Sequence, residues 1–249
     1  MDRADSASAL SARRLFVAAL PARGSEVGLG SESAQHARVL RLSAGDPVQL
    51  FDGRGGTVEA RVVALDKRAL ACVAVAEVVH VPPPPRVVLV QCLPRAGKLD
   101  DIVRMTTEIG VSAIELAVSE HCVARGSGRD DHKRDRLERV AVEAARQSEQ
   151  AYVPEIGTPA PLAEVLGRAP AAAHKVAALE RTAAAWPLTI DAPALWVVVG
   201  PEGGLSQSDR AQIAAAGFVP ASFGRSILRT ETAAVVGVTL AVERLGRSR

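Results

Sequence analysis

The hydrophobic positions of this chain change character once, near residue 80. Before that point they form short strand-length runs separated by turn residues: Leu15–Val17, Pro47–Phe51, Thr57–Val63 and Ala71–Val75. Asp52-Gly53 and Gly55-Gly56 supply hairpin chemistry between two of these runs, so residues 13–80 predict a small β-barrel. His80-Val-Pro-Pro-Pro-Pro-Arg86 follows, and four consecutive prolines continue neither a ladder nor a helix. After it, apolar runs alternate with helical spacing. Val87–Leu93, Ala113–Val118, Lys175–Leu179 and Leu195–Val199 read as buried strands. Leu99, Ile102, Val103, Thr106 and Ile109 mark one helix face, and Leu137, Val140, Ala141, Ala144 and Ser148 another. Residues 86–249 therefore predict an α/β domain with a mostly parallel sheet. Residues 1 to about 12 are small and polar and predict disorder.

Chemistry concentrates between Trp196 and Glu231. The strand ending at Val199 runs into Gly200-Pro-Glu-Gly-Gly204, where glycines let a ligand approach the main chain. Ser206 with Asp209 reads as the N-cap of a helix that Gly217 ends. Strand, glycine loop and capped helix is the arrangement that binds ligands beyond the carboxyl ends of an open sheet. Alone, the loop is equally consistent with a plain tight turn. A second loop, Phe223-Gly-Arg-Ser-Ile-Leu-Arg-Thr-Glu231, shifts the balance, because its charges between apolar flanks suit neither a core nor an ordinary surface.

These two motifs, Gly200–Ser206 and Gly224–Ala233, resemble the signature of the ribosomal RNA small subunit methyltransferase E family. Arg13–Val17, His36–Asp46 and Leu50–Gly53 resemble segments of that family's N-terminal domain. Gly97–Val111, Ser119–Arg125 and Arg139–Ser148 resemble its catalytic domain. The resemblance implies a PUA-like RNA-binding barrel followed by a SPOUT domain with a trefoil knot. It implies an S-adenosylmethionine-dependent uracil-N3 methyltransferase acting on small-subunit ribosomal RNA or the assembled small subunit, as a homodimer. Met105, His121 and Gln150 depart from the basic residues usual at those positions. Arg125, Arg129, Lys133, Arg134, Arg136 and Arg139 put positive charge nearby, diluted by acids such as Asp135 and Glu138 that fit a solvated helix equally well.

Composition adds limits. A net charge of +2 announces no nucleic-acid partner, and 3% aromatic residues argue against a binding face of stacked rings. Cys72, Cys92 and Cys122 are isolated, which predicts reduced thiols in the cytoplasm and no metal site. No apolar run is long enough to span a bilayer. Dinucleotide, phosphate-loop and serine-hydrolase motifs are all missing, which disfavours those enzyme classes.

The resemblance assigns S-adenosylmethionine to Leu179, Glu180, Gly200, Pro201, Glu202, Gly203, Gly204, Phe223, Gly224, Ile227, Leu228 and Arg229. It makes Arg14, Arg38 and Arg41 candidates for RNA phosphate contact. Methylating uracil N3 requires alignment with the methyl donor, loss of a weakly acidic proton and stabilisation of the resulting charge. Arg229 is the candidate for charge stabilisation. Glu231 is either a proton acceptor or a helix-dipole partner, with Thr230 as a cap. Two other readings remain: a SPOUT enzyme acting on a ribose 2′-hydroxyl or a different RNA, and a ribosome assembly factor without catalysis.

Overall fold

A computed structural model describes residues 13–95, 97–122, 130–179, 186–187 and 189–246, with the side chains of residues 130 and 131 left aside. The described chain forms two compact units. One runs up to Pro83 and takes in Ala145–Val153; the other comprises Pro84–Ala144 and Pro154 onward.

The first unit is a six-stranded sheet built from β1 (Arg14–Phe16), β2 (Glu26–Leu29), β3 (Pro47–Phe51), β4 (Gly56–Leu65), β5 (Leu70–Ala74) and β6 (Val79–His80). The order is β1-β3-β4-β5-β2, with β6 on β4; β1 and β3 run parallel and the other pairs antiparallel. Period-two alternation in β4 sends Val58, Ala60 and Val62 inward. They meet Leu15, Val48, Leu50 and the buried Ala34 and Ala37 of α1 (Ser31–Val39) in one core. The β3–β4 hairpin closes as its turn residues predict, with the Asp52 carboxylate accepting from the Arg54 and Gly56 amides at 2.8 and 2.9 Å. Gly53 and Gly55 hold φ of 69° and 95° there. The segment 145–153 belongs to this unit through Gly55 N–H to Ala151 O and Val153 N–H to Gly53 O, at 3.0 and 2.9 Å. No periodicity in the sequence announces that pairing. The proline run 82–85 carries no element.

The second unit is a seven-stranded sheet in which every pair is parallel. Its elements are β7 (Arg86–Cys92), α2 (Lys98–Ile109), β8 (Ala113–Val118), α3 (Asp130–Gln147), β9 (Glu155–Ile156), β10 (Ala160–Pro161) and α4 (Leu162–Gly167). Then come β11 (His174–Ala178), β12 (Ala194–Val199), α5 (Gln207–Ala215), β13 (Val219–Ala221) and α6 (Thr230–Gly246). Strand order is β10-β8-β7-β12-β11-β13, with β9 on β8. All of β12 is buried, as is β7 from Val87 onward, because helices cover a parallel sheet on both faces. Each buried valine or leucine there contributes about 1.5–3 kcal/mol. α2 buries Leu99, Ile102 and Val103, and stops where Gly110 adopts φ 97°. The two-residue strands β9 and β10 and the short α4 go unannounced by the sequence pattern.

Candidate functional site

The carboxyl ends of β12, β11 and β13, which lie side by side in the sheet, open onto one cavity of about 700 Å³. β12 delivers the first loop. Its last residue, Val199, is followed by Gly200–Leu205, with Gly204 at φ 73°. Ser206 and Asp209 then form the predicted capping box: each side chain accepts from the other residue's amide, both at 3.0 Å. The buried Asp209 also accepts from the Glu120 amide at 3.3 Å, which ties α5 to the end of β8.

β13 delivers the second loop, Ser222–Arg229. Ser222 Oγ donates to Gly224 O at 2.9 Å, and Gly224 holds φ 133°, a conformation L side chains rarely adopt. Phe223 packs on Trp186 with ring centroids 5.3 Å apart and on the helix position Gly237. A Cβ at Gly237 would stand 2.7 Å from the Phe223 ring, so only glycine admits the aromatic there. β11 delivers Leu179 to the cavity wall. Glu180, paired with it in the sequence reading, lies outside the described residues.

Two adjacent residues at the start of α6 join the loops. Thr230 is buried, and its hydroxyl donates to Gly200 O at 2.7 Å while accepting from Gln91 Nε2 at 3.0 Å. Glu231 pairs with Lys98 Nζ at 3.0 Å, and the same ammonium reaches Glu202 of the first loop at 3.2 Å. Glu202 also accepts from the Arg95 amide. Hydrogen bonds that the Lys98 ammonium donates to Glu231 and then to Glu202 hold it above its ordinary pKa. The Glu231 amide, helped by Lys98 against partial burial, holds the Glu231 carboxyl below the usual range. Burial pushes the Glu202 carboxyl up, but its own amide, Arg95 and Lys98 together outweigh that and leave it lowered.

The cavity gathers most of the residues the sequence singles out: Leu179, Gly200, Pro201, Glu202, Gly204, Phe223, Gly224, Ile227, Leu228 and Arg229. Gly203 is not among them. It faces His121 instead: a Cβ added at Gly203 would stand 3.2 Å from the His121 Cβ, and His121 Nδ1 sits 3.2 Å from Gly203 O. His121 thus braces the loop from behind. Glu231 does not line the cavity either; bound to Lys98 and held ionised, it is a poor proton acceptor.

Arg14 requires a correction as an RNA contact. It is 2% exposed, lies 4.4 Å over the Phe51 ring, and donates to Ala145 O and Gln150 O at 3.4 and 3.2 Å. The Ala145 and Gln150 carbonyls, around the end of α3, hold this guanidinium, so it is internal to the first unit. Arg38 and Arg41 are exposed, Arg38 spending its Nε on Ala34 O. On α3, Arg134 pairs with Glu138 and Arg136 with Asp100, so those charges are locally neutralised. Arg125 and Arg129 lie outside the described residues.

Sequence reasoning missed Gln91, Lys98, Arg210 and Arg225. Gln91 carried a signal: it is the one strongly polar side chain within the run Val87–Leu93. Cys72, Cys92 and Cys122 are buried free thiols, with burial pushing Cys72 up to about 11. Among the described residues no cluster suits a metal ion, and no helix is long and apolar enough to cross a membrane.

Known proteins resemble this chain in both sequence and structure. An RNA methyltransferase domain model matches residues 82–242, and an RNA methyltransferase PUA domain model matches residues 29–75. The Ribosomal RNA small subunit methyltransferase E of a Synechocystis species is 30% identical over 215 residues, spanning 81% of this chain and 67% of its own. The protein of the same name from Mycobacterium tuberculosis is 31% identical over 232 residues, 90% of this chain and 88% of its own. The crystal structure of that enzyme from Neisseria gonorrhoeae, bound to S-adenosylmethionine, superimposes with a TM-score of 0.83 at 26% identity, covering 91% and 94% of the two chains. A probable rRNA-methyltransferase from Porphyromonas gingivalis gives a TM-score of 0.79 at 28% identity, covering 95% and 100%.

Proposed function

The chain belongs to the ribosomal RNA small subunit methyltransferase E family, and from that premise we propose that it methylates N3 of a uridine in small-subunit ribosomal RNA with S-adenosylmethionine. The cavity where β11, β12 and β13 end carries this reading. It fits the cofactor chemically. Leu179, Leu205, Ile227 and Leu228 offer apolar walls, and the glycine-rich loops bring main-chain polar groups to its edge, as small-molecule pockets require. The relative from Neisseria gonorrhoeae, bound to S-adenosylmethionine, shares this fold over nearly its whole length.

Leu179, Gly200 to Glu202, Gly204, Phe223, Gly224, Ile227 and Leu228 would hold the cofactor. Bound there, S-adenosylmethionine supplies an electrophilic methyl group. The chain's own part is to seat the target base against that group, and positioning alone is worth up to roughly 7–11 kcal/mol. Arg229 lines the same cavity, and its guanidinium against a uracil carbonyl oxygen stabilises the anion left when the N3 proton departs. With Glu231 committed to Lys98, the N3 proton passes to solvent water while Arg229 stabilises the anion it leaves. The base has to be unpaired or flipped to enter. Exposed Arg38 and Arg41 of the first unit support contact with the RNA backbone.

The test is titration calorimetry with S-adenosylmethionine, followed by mass spectrometry of small-subunit RNA. We expect micromolar cofactor binding and formation of 3-methyluridine. Gly224→Val, which forces a β-branched residue to φ 133°, should weaken cofactor binding about tenfold. A 2′-O-methyl product would transfer the assignment to ribose methylation, and absence of both binding and product would overturn catalysis.

A further inference from the structure

Three guanidiniums face this cavity: the half-buried Arg210 of α5, and the exposed Arg225 and Arg229 of the second loop. Among the described residues none of them has a carboxylate within ion-pairing distance. Arg210 is aimed by one bond, Nε to Leu205 O at 3.1 Å, which fixes the side chain and leaves its two Nη groups without a described partner. Arg225 makes no hydrogen bond among the described residues. The carboxylate that lines the cavity there, Glu202, is already shared with Lys98 and the Arg95 amide.

Charge balance then decides what the arginines are for. S-adenosylmethionine carries a sulfonium, an ammonium and one carboxylate, so it enters as a net cation. Uracil is neutral. Even with the Arg229 charge felt by Glu231, a cationic cofactor beside Arg210 and Arg225 leaves positive charge that cofactor and base together do not neutralise. Uncompensated like charges at close quarters are costly, and arginine's fork geometry matches phosphate oxygens in pairs. Arg210 comes from the first-loop side and Arg225 from the second, so the two approach a ligand in the cavity from different elements.

We propose that Arg210 and Arg225 form a phosphate clamp for the RNA backbone next to the target nucleotide, seating the strand so that the base enters the cavity. The inference rests on the methyltransferase reading above, and it assigns these two residues to substrate rather than cofactor. The clamp positions the strand; it takes no part in the transfer.

Arg210→Gln, Arg225→Gln and the conservative Arg225→Lys test it, each with the full chain and small-subunit RNA. RNA binding measured across a salt series should weaken about tenfold for each glutamine variant. The slope of log affinity against log salt should fall by about one for each lost contact. S-adenosylmethionine affinity should stay within about twofold of wild type, and KM for RNA should rise while kcat holds. Arg225→Lys should restore most of the salt slope, since the charge returns without the fork. Loss of cofactor affinity with an unchanged salt slope would overturn the clamp and assign the arginines to the cofactor carboxylate. Unchanged RNA and cofactor affinity in both glutamine variants would overturn it as well. Failure of the wild-type protein to bind S-adenosylmethionine would instead strike the underlying reading, so the two failures are separable.

Discussion

Thr230 shows how much one hydroxyl carries in this site. It donates to Gly200 O and accepts from Gln91, so three segments distant in sequence meet at a single oxygen. Thr230→Val keeps the shape and removes both bonds. It leaves a carbonyl and an amide group without their partner in a buried setting, which costs about 1–3 kcal/mol. The expected outcome is that loss in denaturant unfolding, with cofactor affinity reduced about tenfold by calorimetry because the Gly200 carbonyl is no longer held. Unaltered affinity would show that the first loop needs no such anchor. At the neighbouring position, the sequence left Glu231 between a proton acceptor and a helix-end partner. In the structure its carboxylate is bound by Lys98 of α2, a partner that no local pattern announces.

At the scale of elements, α6 is the part on which the site is seated. It packs on α2, β7 and β12, and Gly237 at its middle accepts the Phe223 ring. Glycine inside a helix costs roughly 1 kcal/mol relative to alanine, so its presence calls for a packing reason. Gly237→Ala recovers that helix propensity, but its Cβ would fall 2.7 Å from Phe223 and 3.0 Å from Val197. Overpacking of about 1–3 kcal/mol outweighs the gain. We expect a lower thermal midpoint and weaker cofactor binding together. A stabilised protein with full affinity would mean that the ring simply moves aside. The elements themselves were largely legible. Long periodic runs such as Pro47–Phe51 and Ala113–Val118 coincide with β3 and β8, because burial of one face or both dictates the pattern directly. β2, β6, β9, β10, β13 and α4 carry too few residues to establish a period, and partners distant in sequence hold them in place.

For the whole molecule, the family resemblance implies a homodimer, and the last helix offers a reason to test it. Val235, Val236 and Leu240 on α6 are only half-buried, and Ile227 of the second loop is 64% exposed. Apolar side chains left this open are material for an interface. Light scattering at micromolar concentration should return twice the 26.0 kDa chain mass. A mass of one chain would exclude the dimer.

By itself the sequence determined the α/β character of residues beyond 86, the capping box at Ser206, the glycine turns and the pair of loops proposed to bind the ligand, because each depends on neighbours within a few residues. The tertiary structure decided which residues face the cavity. It turned Gly203 toward His121, buried Arg14 against the Ala145 and Gln150 carbonyls, bound Glu231 to Lys98, and brought Arg210 into the same cavity as Arg225. The physical reason is one of range. Backbone preference and hydrophobic period act along the chain, whereas ion pairs, buried hydrogen bonds and cavity walls join residues that only the packed sheet makes neighbours.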